Sequence, residues 1–134
     1  MGDLRLLERI QRRWTRAVSG MAYVSYDERL RRLDLFNFKG RLIRTDLILV
    51  WKIINKQCAI ESDKMFTFVS SARRGHKYKL FVPRTRLEVR RRFFSVRVIS
   101  SWNSLSDDTV EADNINRFKS LLKRDLGNVL YEFD

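Results

Sequence analysis

A single proline, Pro83, and five glycines in 134 residues give the chain very few points at which regular structure must stop. Long elements are therefore expected, and the spacing of apolar residues says which kind. From Leu4 to Val18 they recur every three or four positions, at Leu4, Leu7, Ile10, Trp14 and Val18, while Arg5, Arg9, Arg12, Arg13 and Arg16 fill the other faces. The pattern predicts an amphipathic helix that packs its apolar stripe inward and keeps a basic outer side. Gly20 lies near its end, and Ser25 followed three residues later by Glu28 makes a capping box for a short second helix through Leu30 and Leu33. A longer helix is predicted from about Phe38 to Asn55. There Ile43, Leu47, Val50 and Ile54 keep helical spacing, and Leu49, Trp51 and Ile53 extend the apolar surface almost all round, as a central core helix requires.

Between Lys64 and Pro83 the period shortens. Phe66 and Phe68, then Tyr78, Leu80 and Val82, alternate as strand residues do, and the polar stretch from Ser70 to Gly75 separates them. This predicts a small β-hairpin around residues 66–82. Helical spacing returns from Leu87 to Leu105 through Val89, Phe93, Val96, Ile99 and Trp102. After an acidic, polar loop from Ser106 to Asp113, a last helix carries Ile115, Phe118, Leu121, Leu122 and Leu126, with Gly127 as its stop. The expected fold class is mainly α, a small helical bundle with a short β-hairpin. With 44% hydrophobic residues, no repeat and no internal linker, residues 1–134 read as one basic helical domain.

The charge is unevenly placed. The chain carries +12, and residues 73–97 hold ten basic side chains opposed by Glu88 alone, so this one segment accounts for +9. Tyr78, Phe81, Phe93 and Phe94 lie among these cations. Guanidinium groups beside aromatic rings are what phosphate pairing and stacking on unpaired bases require, although core packing also explains each ring. The candidate nucleic-acid-binding residues are Arg73, Arg74, His76, Lys77, Lys79, Arg84, Arg86, Arg90, Arg91, Arg92 and Arg97. Arginine outnumbers lysine among them, which favours forked contacts to phosphates or base edges. His76 is read as a contact to a base or phosphate, with a plain turn residue as the alternative.

Catalytic chemistry is not expected. One histidine and one cysteine, Cys58, cannot make a zinc site, and His76 has no carboxylate nearby in sequence to orient it as a general base. No glycine-rich phosphate loop follows Gly75. Asp107 and Asp108 superficially match the paired aspartates of two-metal sites, but they lack flanking apolar strands and are read as loop or helix-capping residues. No catalytic residue, metal or cofactor is expected. Cys58, without a second thiol, suits a reducing compartment and is read as a buried structural thiol. No apolar run is long enough to span a bilayer and no signal-peptide pattern opens the chain, so an intracellular setting, cytoplasmic or nuclear, and no membrane partner are expected.

Four segments occur in a telling order. They are LLERIQRRWTRAVSGM, SYDERLRRLDLFNFKGRLIRTDLILVWKIINK, RRGHKYKLFVPRTRLEVRRRFFSVRVISSWNSL and INRFKSLL. The succession resembles the C-terminal region that follows the reverse transcriptase core in jockey-like non-LTR (LINE-type) retrotransposons, from Leu6 to about Leu122. Its most specific parts are Arg74-Gly75-His76 before Lys79-Leu80-Phe81, and Phe93-Phe94-Ser95 with Arg97-Val98 before Ser101-Trp102-Asn103-Ser104-Leu105. Ser106 departs from the pattern, standing where that family usually has proline.

The resemblance implies a parent RNA-directed DNA polymerase whose catalytic domains lie upstream of this region. It transfers no catalytic residue to these positions, and implies a place near the thumb where template RNA or an RNA/DNA hybrid could be gripped. The expected function is binding of RNA or DNA backbone through the basic hairpin and the helix after it. The rival is a structural module that packs on a polymerase core or an acidic partner. A third reading takes the first helix as a membrane-surface or partner-binding helix; it is disfavoured on the ground that its apolar face packs internally.

Overall fold

The computed structural model describes residues 2–61, 66–69, 78–80 and 98–132. Among them are six α-helices: α1 (Gly2–Arg16), α2 (Tyr26–Leu33), α3 (Phe38–Ile54), α4 (Ile99–Asn103), α5 (Asp107–Val110) and α6 (Ile115–Leu126). A 3-10 turn at Gly127–Leu130 follows. The mainly helical class is present as expected. The chain forms two compact units, Met1–Leu42 with Leu126–Asp134, and Ile43–Asp125. One boundary falls inside α3 and the other at the end of α6, so no linker or change in composition marks either of them.

In the first unit α1 packs on α2. Half of the predicted capping box forms: Ser25 Oγ accepts the Glu28 N–H at 3.3 Å, but the Glu28 carboxylate pairs with Arg32 instead of returning to the Ser25 N–H. Of the five apolar residues whose spacing predicts an inward stripe on α1, however, only Leu4 and Val18 at the two ends are half-buried, and the middle three face outward. Leu7, Ile10 and Trp14 are 42%, 51% and 75% exposed, and the buried side chains of the helix are Glu8 and Thr15. The reason lies in what the neighbours offer. Tyr26 donates its phenolic proton to Glu8 Oε1, and the Phe38 N–H donates to Glu8 Oε2 at 2.7 Å. Glu8 thus satisfies one of the orphan donors at the start of α3 and places its negative charge at the positive end of that helix.

Other polar groups continue this interior. Gln11 Nε2 donates to the Tyr26 hydroxyl and to the Phe36 carbonyl, and Arg41 donates to Gln11 Oε1 at 2.8 Å. Arg29, buried, sends its three guanidinium nitrogens to Thr15 Oγ1, the Val24 carbonyl and the Arg12 carbonyl, at 2.7–3.1 Å. Burial raises the pKa of Tyr26, and its bond to Glu8 adds to the rise; burial lowers that of Arg29, with Arg16 and Arg12 contributing. Asn37 closes the unit. Its Oδ1 caps the Gly40 N–H, and its Nδ2 donates to the carbonyls of Val129 and Glu132. Only glycine fits at position 40, since a Cβ there would stand 2.9 Å from Leu130 Cα.

The second unit has an apolar interior. Trp51 from α3 stacks on Phe118 from α6 with centroids 5.7 Å apart, and Trp102 from α4 lies 6.2 Å from the same ring. Leu47, Val50, Ile53, Ile99 and Leu122 complete this core, at 0–2% exposure. Spacing identified α3 and α6 correctly, and Gly127 takes the left-handed φ of 49° expected of a helix stop. The stretch read as a polar loop after Leu105 contains α5 instead. Asp125 organises it, accepting from the Ser106 N–H at 2.9 Å and from Thr109 Oγ1 at 2.6 Å. Burial alone would raise the Asp125 pKa, but these bonds, with Ser106 Oγ and Arg124, outweigh it and hold the carboxyl below its usual range. Ser106 therefore supplies an N–H that proline at this position would lack.

The β-hairpin around residues 66–82 is not supported. Among the described residues there is no strand, only one antiparallel bridge between Phe68 and Leu80, in which the Val69 N–H donates to the Lys79 carbonyl at 2.9 Å. Alternation failed here because Phe66 and Phe68 do not share an inner face: Phe66 is buried and Phe68 is 39% exposed. Residues 70–77 and 81–82 of the expected hairpin, and 87–97 of the helix expected after it, lie outside the described residues; of that helix, α4 is what is described.

Candidate nucleic-acid interface

Ten of the eleven candidate binding residues, namely Arg73, Arg74, His76, Lys77, Arg84, Arg86, Arg90, Arg91, Arg92 and Arg97, lie outside the described residues. Lys79 is described. It is half-buried, in the short segment Tyr78–Leu80 that enters the second unit. Side chains of α4 hold this segment by its backbone. Asn103 accepts the Leu80 N–H at its Oδ1 at 2.8 Å and donates its Nδ2 to the Leu80 carbonyl at 2.9 Å. Trp102 Nε1 donates to the Tyr78 carbonyl at 3.0 Å.

A carboxamide offers one acceptor and one donor side by side, so Asn103 presents to Leu80 what one residue of a neighbouring strand would. Leu80 is thereby fixed with its side chain buried. The arrangement joins two segments read separately in the sequence, Lys79-Leu80 and Trp102-Asn103. It anchors a described part of the basic segment on the aromatic core.

A second group of cations was not singled out by charge counting. Arg5, Arg9, Arg13 and Arg16 on α1 are all exposed, and among the described residues none of them makes a hydrogen bond or ion pair through its side chain. Other arginines serve the fold. Arg29 and Arg41 are hydrogen-bonded inside the first unit, Arg31 reaches Glu132 and Asn128, Arg32 pairs with Glu28, and Arg124 pairs with Asp125. Net charge per segment could not separate these two classes. The relevant signal was the acidic or carbonyl partner within reach of each arginine, which only the fold supplies.

The remaining chemistry-bearing residues have structural surroundings. Asp107 and Asp108 are exposed in the first turn of α5, where a carboxylate faces the positive end of the helix dipole. Cys58 is a half-buried free thiol. Among the described residues no group of three or more histidine, cysteine, aspartate or glutamate side chains is placed to hold a metal ion. None of the described helices is long and apolar enough to cross a membrane. Comparison of the chain with family models, with curated proteins and with solved structures found no match in any of the three.

Proposed function

We propose that the chain is a nucleic-acid-binding module that grips RNA or an RNA/DNA hybrid through the backbone phosphates, as the C-terminal region of a non-LTR retrotransposon reverse transcriptase would. The observation that carries the reading is the concentration of +9 of the chain's +12 in residues 73–97. Two structural features support it. The described part of that segment, Tyr78–Leu80, is pinned by Trp102 and Asn103 to a buried aromatic core. Outside the segment, Arg29, Arg31, Arg32, Arg41 and Arg124 are engaged within the fold, so part of the remaining positive charge is not free to bind a ligand. The role needs no catalytic group: phosphate contacts position the chain, and arginine forks add geometric preference.

Binding of the whole chain to single-stranded RNA, RNA/DNA hybrid and duplex DNA across a salt series tests this. If about six to ten phosphates are neutralised, affinity falls by roughly a thousandfold or more between about 50 and 200 mM salt. Replacing Arg90, Arg91 and Arg92 by glutamine should flatten that slope. A folded chain that binds none of the three at low salt would overturn the reading, leaving the structural role against a polymerase core or acidic partner.

A further inference from the structure

We propose that the outer side of α1 is a separate contact for single-stranded nucleic acid, with phosphates along Arg5, Arg9, Arg13 and Arg16 and bases over the adjoining apolar stripe that ends in Trp14. The proposal rests on the reading above for the class of ligand, but on different residues.

Three sectors divide the circumference of α1. At about 100° per residue, the four arginines fall within one arc of about 80°, and Leu6, Leu7, Ile10 and Trp14 within a neighbouring arc of about 100°. The inward sector is filled by Glu8 and Thr15. Both outer sectors are open. Among the described residues the four arginine side chains have no partner, and Leu6, Leu7, Ile10 and Trp14 are 53%, 42%, 51% and 75% exposed. An apolar stripe beside a row of unpaired cations calls for a ligand that is anionic along one edge and flat and weakly hydrated along the other.

A single strand has that character, because its bases are unpaired and stack on aromatic and apolar side chains while its phosphates follow a basic track. A duplex hides its bases. A second copy of the chain would bring Arg9 and Arg13 against like charges. A protein partner would find a stripe of four apolar side chains, far short of the roughly 20–30 residues that one side of a stable interface covers. A bilayer surface would use the same stripe, but one edge of it is closed: next to Leu7 the helix turns its polar side onto α2. The 15 residues of α1 extend about 22 Å, room for a few nucleotides.

Trp14 provides the readout. Trp51 and Trp102 are 1% and 0% exposed, so quenching of tryptophan emission by a bound base reports on Trp14. The full chain is titrated with oligouridylate, with a blunt RNA duplex and with phosphatidylserine vesicles at low salt. Oligouridylate should quench the emission, and Trp14→Ala should remove the quenching and weaken binding about tenfold. Arg9→Gln with Arg13→Gln should lower the slope of log affinity against log salt by about 1.4, the share of two phosphates on a single strand. Circular dichroism and the thermal midpoint confirm that these surface variants keep the fold.

Oligouridylate binding that leaves Trp14 emission and both variants unaffected overturns the α1 site while leaving the segment 73–97 as the interface. No binding of any nucleic acid overturns both readings. Quenching by duplex or by vesicles, without quenching by the single strand, also overturns this site and assigns the stripe to that ligand.

Discussion

The two units are held together by different kinds of interior. In the second unit a stacked pair of rings, Trp51 and Phe118, with Trp102 beside them, fills an apolar core where dispersion and removal of apolar surface from water supply the stability. In the first, a carboxylate, a phenol, a carboxamide and two guanidinium groups fill the space between α1, α2 and the start of α3. Helices α1 and α6 make the contrast sharp. Both repeat apolar residues at helical spacing, yet α6 turns Phe118, Leu121 and Leu122 inward while α1 turns Leu7, Ile10 and Trp14 outward. The comparison teaches that periodicity identifies a helix and the existence of a stripe, whereas the neighbouring surface decides which side is covered.

Truncating the aromatic core should give the largest effect. Phe118 touches both Trp51 and Trp102, and Phe118→Ala removes the ring between them, so a loss of about 3–5 kcal/mol in urea unfolding is expected. A loss under about 1 kcal/mol would mean that the second unit is not organised around this ring. For the polar interior the corresponding change is Glu8→Ala. It strips the Phe38 N–H of its acceptor and takes from Tyr26 a charged partner, leaving polar groups in a place water does not reach freely. A loss of roughly 2–4 kcal/mol is expected. If Glu8→Ala were neutral, the contrast between the units would fail at its polar side.

The sequence made the helices legible wherever local chemistry determines them. Ser25 caps α2, Gly127 ends α6 with a positive φ, and the broad apolar surface of α3 marks a helix buried on most sides. What could not be read was any feature settled by a distant partner. Nothing near Glu8 says that Tyr26 and the Phe38 amide will meet it, and hydropathy places a glutamate outside by default. Alternation between Phe66 and Val82 suggested a hairpin, but the segment Tyr78–Leu80 is held by the side chains of Asn103 and Trp102, more than twenty residues away, which no local pattern reveals. Of the candidate site, the sequence located the charge, and the fold added which arginines of the described residues are already occupied. The four left over on α1 were counted as the solvated back of a helix, on the assumption that its apolar side was covered.

The smallest expected effect tests that assumption directly. Ile10 is 51% exposed at the middle of the α1 stripe, so Ile10→Ala removes side-chain atoms that already face water and substitutes the residue with the best helix propensity. The transfer contribution and the propensity gain are both small, and the change in stability should stay within about 0.5 kcal/mol of zero. The same substitution at a buried isoleucine costs about 2–5 kcal/mol, because the cavity it leaves adds to the lost transfer energy. Urea unfolding of Ile10→Ala beside Ile53→Ala, a residue with 0% exposure in the second unit, therefore separates the two kinds of position by several-fold. Equal losses at both would place the α1 stripe in an interior and remove the basis for a ligand on that face.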